Sequence, residues 1–510
     1  MSVSHYHPRY LTKKCALLTD VELEKCSVLF RENYGTYDGL EGKHRKGQHI
    51  VYPRRGYEAL RQNANMFVSL CFKGEELLGQ AFFLKYTLDN GEICTWVTQL
   101  VVHRSYRKRG IATRLLQSVW GFSNYYAWGL ATANALTVRA LESATWREVS
   151  PEVVENHLEI IKTLCQKIPY FKEEDLVVNP AISQINSHFF PQRKRNVFEE
   201  VYVERLGKLP AGYEWLAFTF RSQKMLLSGK HFEQLLSFSQ QQLQDAYNRM
   251  EMQSHAWAAH TKDEVDFVLS TIALPVGSKV LDMGCGQGRH SIEFVRHGMQ
   301  VWGVDMGEGL LQTARKNADS LLSKEQREKL HFDLKDCRRH PYRHLFDLVF
   351  CAYDVIGSYR KKSDNAALMD TVVSKVRRGG YAVVSVMNME YTESIATKCS
   401  DVESDPSALL ELPASNTMQA SGNIFNPEYF LLDKKAHLVY RKEQFEQEGQ
   451  LSAEYVIADY RYTMGEITHE FLSRGMEILV ANYVQSGKWG MPLDARDSHA
   501  KEILLVMRKL

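Results

Sequence analysis

The chain has 510 residues, beyond the ~250–300 at which a single hydrophobic core stops growing, so two or three domains are expected. Its 44% apolar and 24% charged content is that of an ordinary globular protein, and the net charge of +2 excludes a bulk electrostatic demand for nucleic acid or a membrane surface. Nine cysteines at 15, 26, 71, 94, 165, 285, 337, 351 and 399 form no CxxC pair, a pattern of free thiols in a reducing compartment rather than of disulfides or a zinc site. His5 and His7 read as a solvated tail pair, and no metal is expected. No apolar run approaches the ~20 residues that span a bilayer, so a cytoplasmic protein without membrane partners is expected.

In chain order, block one spans 10–221. It opens with strand patterns at 66–72, 77–86 and 93–102. A basic loop, RSYRKRG, leads into the helix IATRLLQSVWGFSN. YYAWGLATAN then reads as a strand, ALTVRALESATWR as a helix and WLAFTFRS (215–222) as a late strand. The polar, Gln-rich stretch 222–244 reads as a connecting helix. Block two, 245–510, alternates regularly: strand 279–283, helix 289–297, strand 300–304, helix 308–320, strands 330–334 and 346–351, helix 364–377, strand 380–387. Such alternation implies parallel βαβ units with right-handed crossovers. The fold class is α/β throughout.

The strongest chemical signal is SKVLDMGCGQGRHSIEFV. An apolar strand ends at Asp282, and the turn Gly284-Cys285-Gly286-Gln287-Gly288 opens a helix. Glycines permit positive φ and close backbone approach, and the helix start offers free N–H groups. Asp305 ends the next strand, 23 residues on, where an acidic side chain meets the hydroxyls of a bound ribose. The third glycine comes one position too early for a dinucleotide fingerprint.

D-x-G-x-G-x-G resembles motif I of class I S-adenosylmethionine-dependent methyltransferases. FDLVFCAYD (346–354), VRRGGYAVVSVMN and the pair MEILVANY/KEILLVMRK resemble the fourth, fifth and final antiparallel strands of that doubly wound, Rossmann-like fold. The resemblance implies a loop of Gly284, Cys285, Gly286 and Gly288 under the methionine moiety. Asp282 would hold that loop or reach the amino group through water. Asp305 would accept from both ribose hydroxyls, with Met306 beside the adenine and Asp336-Cys337 at its edge. Turn capping and a solvated loop are the bland alternatives for Asp282 and Asp336. Methyl transfer needs a placed nucleophile more than acid–base groups, and no catalytic residue is assigned. Tyr247, Trp257, Tyr353 and Asp354 are candidates to surround the cofactor or acceptor, with core packing as the alternative. Extra antiparallel strands within 425–463 read as an insertion that forms a lid and favours a small acceptor.

In block one, Arg107, Lys108, Arg109, Gly110, Ile111, Ala112 and Thr113 present backbone amides and positive charge at a helix start, the chemistry of an anion nest. R-x-x-G-x-A resembles motif A of the GNAT superfamily of acyl-CoA N-acyltransferases, whose next strand and helix GLATANALTVRALE is similar to. The resemblance implies that the 107–113 loop takes the pyrophosphate of acetyl-CoA or another acyl-CoA. Gln99, Leu100, Val101 and Val102 would face the pantetheine arm. Asn134 would sit near the thioester, or serve only as a helix N-cap. Many relatives carry a tyrosine as general acid where this chain has Leu141; Tyr125, Tyr126 and Glu142 are the nearby substitutes. The expectation is a bifunctional transferase, moving an acyl group, acetyl foremost, to an amine and a methyl group to a small molecule. The alternative is an active methyltransferase joined to a non-catalytic acyl-CoA-binding or interaction domain. Nucleic acid is the least favoured partner, and the oligomeric state is open.

Overall fold

The structure is a computed structural model. It describes all residues except 1–7, 41, 121–124, 169, 193–195, 227–228, 230–231, 237–238, 240–258, 340–341, 416–423, 448–449 and 453. His5, His7, Tyr247 and Trp257 therefore lie outside the described residues. The chain forms two compact units, one of 1–233 with 444–454 and one of 234–443 with 455–510. Among the described residues no helix is long and apolar enough to cross a membrane.

In the first unit, strands β1 (Arg9–Lys14), β2 (Met66–Lys73), β3 (Glu76–Thr87), β4 (Ile93–Val102), β5 (Ala127–Thr132), β6 (Leu176–Asn179), β7 (Ile182–Asn186) and β8 (Tyr213–Phe220) build most of a ten-stranded sheet. Its order begins at the short β17 (Glu446–Gln447) and β18 (Gln450–Ser452) and continues β1-β2-β3-β4-β5-β8-β7-β6. The late hairpin thus covers the edge of β1, with Leu11 opposite Ser452. Only β4 and β5 run parallel. Their crossover is helix α3 (Ile111–Trp120), which follows α1 (Asp20–Asn33) and α2 (Arg54–Gln62) and precedes α4 (Ala135–Thr145). One face of the sheet, with Leu70, Phe82, Trp96 and Phe218, packs on α1 and α2 residues such as Leu29, Phe30 and Tyr57.

The second unit holds a seven-stranded sheet of β9 (Lys279–Met283), β10 (Gln300–Asp305), β11 (Leu330–Leu334), β12 (Phe346–Cys351), β13 (Val376–Met387), β20 (Met476–Val484) and β21 (Glu502–Lys509). The order is β11-β10-β9-β12-β13-β21-β20, parallel except for β21 and β20. This is the doubly wound arrangement, with its topological switch between β9 and β12, where ligands bind outside the carboxyl ends of the strands. Between β13 and β20 the chain inserts a smaller sheet in which β14 (Ala414–Ser415), β15 (Phe430–Asp433) and β19 (Tyr455–Tyr460) join β16 (Leu438–Glu443).

Two boundaries differ from the pattern. The helix expected at 364–377 runs Lys362–Lys375, and β13 begins at Val376 instead of 380. Gly379 and Gly380 lie inside that strand, where a Cβ on Gly380 would stand 2.9 Å from the Asp347 carbonyl oxygen. Gly380 answers to close strand packing, whereas Gly379, at φ +72° with room for a Cβ, serves an irregularity that precedes the regular pairing at Tyr381.

Candidate cofactor sites

The glycine loop lies at the carboxyl end of β9. Gly284 has φ +72° and Gly288 φ +80°, and a Cβ at either would meet Val355 at 2.4 Å or Phe332 at 2.6 Å. Only glycine fits both the backbone and the space. Gly286 is also left-handed, at φ +53°. One strand over, Asp305 accepts from the Gly286 N–H at 2.9 Å through one carboxylate oxygen and from the Gly307 N–H at 2.8 Å through the other. Burial raises its pKa, against the backbone donors that lower it. A carboxylate has about four acceptor positions, so Asp305, which accepts from the Gly286, Gly307 and Met306 amides, holds the loop and keeps about one position for a further donor.

Asp282 is buried and accepts from the Ser291 hydroxyl at 2.5 Å, pinning the strand to helix α8 (Arg289–Arg296). Burial pushes its carboxyl up to about 6, the Ser291 hydroxyl opposing. Asp336 is held by Arg338, with Nη2 at 2.8 Å, and Arg338 reaches Asp364 at 2.7 Å. Asp282 is thus tied to a helix side chain rather than capping the turn, and Asp336 is ion-paired rather than a solvated loop acid. Cys285 and Cys337 are buried. Met306 is 39% exposed at the end of β10, and the Tyr359 hydroxyl contacts its sulfur at 3.4 Å. Arg338 lies over the Tyr359 ring, 4.6 Å from its centroid. Met306, Tyr359 and Arg338 thus form one flat-sided group, and sequence reading missed Tyr359 because it follows β12 by eight residues with no motif around it.

Tyr353 and Asp354, just past β12, both adopt positive φ, 61° and 64°. Non-glycine residues hold that conformation only when their surroundings fix it. The Tyr353 amide donates to Ser385 Oγ at 2.8 Å, its hydroxyl meets Ser486 Oγ at 2.8 Å and donates to Glu264, and Arg289 stands 4.3 Å over its ring. Glu264, fully buried, also accepts from His290 Nε2 at 2.7 Å, Arg289 at 3.1 Å and the Gly487 amide at 3.0 Å. Burial alone would raise Glu264; the His290 and Arg289 contacts outweigh it and leave the carboxylate below its usual range. Asp354 is half-buried, and desolvation, with the Asp459 charge adding to it, raises its pKa against the attraction of Arg461 and Arg441. Arg441 donates to Asp459 at 3.0 Å and Arg461 to Thr392 Oγ1 at 2.7 Å. The inserted sheet therefore packs against the β12 end through ionic groups. Sequence reading missed Glu264, since nothing in a surface-like helix start, TKDEVDFV, marks one of its acids as buried.

In the first unit, β4 carries a bulge. Phe83 pairs with Val97 and Phe82 with Gln99, leaving Thr98 as the extra residue. β5 pairs β4 only as far as Val97 and Leu130. From Thr98 to Val102, β4 is no longer paired to β5, so the two parallel strands part towards the end of β4 from which the chain runs on into the 107–113 loop. Lys108 (φ 61°) and Gly110 (φ 77°) turn the chain into α3, and the space around Gly110 is open. Lys108, Arg109 and Gly110 are exposed, Ala112 and Thr113 half-buried, and Ile111 anchors the helix in the core. Arg107 differs. Its guanidinium donates to the Val102 carbonyl at 3.1 Å and to the Asn33 carbonyl, so it serves the end of α1 rather than the open loop.

Asn134 caps α4, its side chain accepting from the Leu136 amide at 3.0 Å. Leu141 is fully buried. Glu142 is held by Arg205 at 2.6 Å, the Tyr202 hydroxyl at 2.5 Å and the Val149 amide at 2.9 Å. Tyr125 and Tyr126 precede β5 at its amino end, whereas the strands part at the carboxyl end; parallel strands put them on the wrong edge. Near the bulge, Tyr170, which is 51% exposed, has its hydroxyl hydrogen-bonded to Thr98 and raised in pKa by desolvation of that end and by Tyr52, Tyr34 and Glu214. It comes from the 151–221 region, which carried no motif.

A family model described as a methyltransferase domain matches residues 280–380, and one described as the acetyltransferase (GNAT) family matches 30–122. A ubiquinone biosynthesis O-methyltransferase of Acinetobacter baylyi is 30% identical over 115 residues, 22% of this chain and 44% of that protein. An S-adenosyl-L-methionine-dependent Diels-Alderase, iccD, of Talaromyces variabilis is 38% identical over 69 residues, 13% and 24% of the two chains. The chain thus spans less than half the length of these relatives. The CcbJ methyltransferase of Streptomyces caelestis aligns with 52% of this chain and 96% of its own at 15% identity and TM-score 0.37. The motifs and the two sheets agree with the matched families: residues 30–122 carry a GNAT-family match, and residues 280–380 carry a methyltransferase-domain match within a doubly wound, Rossmann-like sheet.

Proposed function

We propose that the chain is a bifunctional transferase. The second unit passes a methyl group from S-adenosylmethionine to a small acceptor, and the first passes an acyl group, acetyl foremost, from acyl-CoA to an amine. The observation that carries the methyl half is the Asp305 carboxylate, aligned on Gly286 and Gly307 beside a loop whose Gly284 and Gly288 admit no side chain. Gly284, Cys285, Gly286 and Gly288 would support the methionine moiety, with Asp282 behind them. Asp305 would take the ribose, and Met306, Asp336 and Cys337 the adenine. S-adenosylmethionine supplies an electrophilic methyl sulfonium, and the residues around it bind and orient. The inserted strands favour a small acceptor by narrowing the carboxyl edge.

For the first unit, the parting of β4 and β5 past Thr98 and the open loop at Gly110 support acyl-CoA binding. Backbone groups of Val101 and Val102 would line the arm, while Lys108, Arg109, Gly110, Ile111, Ala112 and Thr113 would hold the pyrophosphate. Arg107 would support them from behind. Asn134 stands at the carboxyl end of β5, near where the thioester would lie. A second reading, acyl-CoA binding without transfer, is favoured by the buried Leu141 and the fully engaged Glu142. Incubating the purified protein with labelled acetyl-CoA, S-adenosylmethionine and a metabolite extract separates these readings. Labelled methyl and acetyl products support two activities, and methyl products alone support the second reading. Absence of S-adenosylhomocysteine under every condition refutes methyl transfer.

A further inference from the structure

At the carboxyl edge of the second unit's sheet, Glu502 opens β21 opposite Met387 of β13 and Val484 of β20. It is 5% exposed. Ser385, two residues before Met387 on the same face of β13, hydrogen-bonds its carboxyl and also receives the Tyr353 amide. The other oxygen, Oε2, is buried with no hydrogen-bond partner among the described residues. A carboxyl oxygen left so costs stability of order 1–3 kcal/mol, and native structures keep such groups where a ligand or the chemistry uses them.

The surroundings define what it faces. Glu264 comes from the helix before β9, Arg289 from α8, Tyr353 and Asp354 from the end of β12, and Ser385 from β13. Glu264 and Asp354 repel charge on Glu502, and Arg289 favours it. Arg289 is already engaged by Glu264 and Thr261. Among the described residues, what the cluster lacks is a cation opposite Oε2. Tyr353, the residue that bridges Glu264 and Ser385, sits directly past β12, where the acceptor of a doubly wound transferase enters.

We propose that Glu502 is the anchor and proton acceptor for an amine, and that the methyl acceptor of this unit is therefore a primary or secondary amine. The proposal rests on the methyl-transfer reading and names its substrate class. The bound ammonium gives one proton to Glu502 Oε2. The freed nitrogen lone pair forms the N–C bond to the methyl of S-adenosylmethionine as the C–S bond breaks, and sulfur keeps that electron pair. The product leaves as a methylated ammonium, and the proton on Glu502 passes to solvent. Burial, with Glu264 adding to it, pushes the Glu502 carboxyl up to about 7, a range in which it can both take and release a proton near neutrality.

The test is difference infrared spectroscopy of the full chain saturated with S-adenosylhomocysteine at about pH 6. Ethylammonium chloride is the probe, and ethanol with sodium chloride is the control. The wild type should show a protonated-carboxyl band that E502Q lacks. Ethylammonium should convert that band to carboxylate and the control should not, while E502D keeps a reduced response. Absence of the band, or equal response to probe and control, overturns the proposal. S-adenosylhomocysteine affinity, measured by calorimetry on the same samples, separates the two readings. Failure to bind refutes methyl transfer itself, whereas unchanged binding with no band response refutes Glu502 alone.

Discussion

Buried carboxyls in the second unit titrate in opposite senses, which makes their roles separable. Glu502 is raised by burial to about 7, so the folded state holds a proton that the unfolded chain has lost above its ordinary pKa near 4.5. Stability must fall as pH rises from about 4.5 to 7 and level off above. Glu502→Gln removes that slope. The difference in melting temperature between E502Q and wild type should grow in favour of the variant between about pH 5 and 8, read by calorimetric scans. A constant difference would show that the carboxyl does not titrate there. Glu264, held low by His290 and Arg289, acts oppositely. Its contribution is present above the unfolded pKa and is lost as pH falls through the lower folded value. Glycine gives a second prediction at this scale. Gly284→Ala adds left-handed strain of about 1 kcal/mol and a methyl 2.4 Å from Val355, an overpacking cost of about 1–3 kcal/mol. Denaturant titration should show a loss of at least about 2 kcal/mol.

The basic loop before α3 divides its labour. Arg107 serves carbonyls of β4 and α1, whereas Lys108 and Arg109 are exposed. Arg107→Ala should lower the melting temperature, losing charge-assisted hydrogen bonds of about 1.5–3 kcal/mol each. The double variant K108A/R109A should leave melting nearly unchanged and weaken acetyl-CoA several-fold, with a flatter salt dependence. The reverse assignment would appear as a swap of these two outcomes.

At this same scale, the sequence made the elements with strong periodicity legible. Strands 279–283, 330–334 and 346–351 coincide with β9, β11 and β12, because β9 and β12, buried on both faces, read as apolar runs and the edge strand β11 alternates buried and exposed residues. The glycine loop was legible because positive φ leaves a compositional mark. The positive φ of Tyr353 and Asp354 left none, since tertiary contacts with Ser385, Ser486 and Glu264 impose it. The Thr98 bulge was hidden inside a strand, ICTWVTQLVV, with no glycine or proline to mark it, and Tyr170 reaches it from 72 positions away. Glu502 was hidden for the same reason: an acid at the start of KEILLVMRK reads as a solvated strand end.

Across the whole molecule, the two cofactor sites proposed on separate units predict two independent stabilisations. A ligand at 100 times its Kd adds about 2.7 kcal/mol. S-adenosylmethionine and acetyl-CoA should each raise the apparent stability of the unit that binds it, and G284A should abolish only the first effect. The sheet of the first unit adds a constraint. Its β1 edge pairs with β18, which belongs to residues 444–454. Replacing 444–454 with a Gly-Ser linker should speed hydrogen exchange of the Leu11 and Thr12 amides, while amides of β9 stay protected. Unchanged β1 protection would show that the edge needs no cover.

The central claim is that Asp305 and the glycine loop together hold S-adenosylmethionine. Titration calorimetry of the full chain with S-adenosylmethionine, for wild type and Asp305→Ala, tests it most directly. The wild type should bind one equivalent, and the variant, short of a charge-assisted hydrogen bond of about 1.5–3 kcal/mol, should bind at least tenfold more weakly. Equal affinity in the two proteins, or no binding to either, would contradict it.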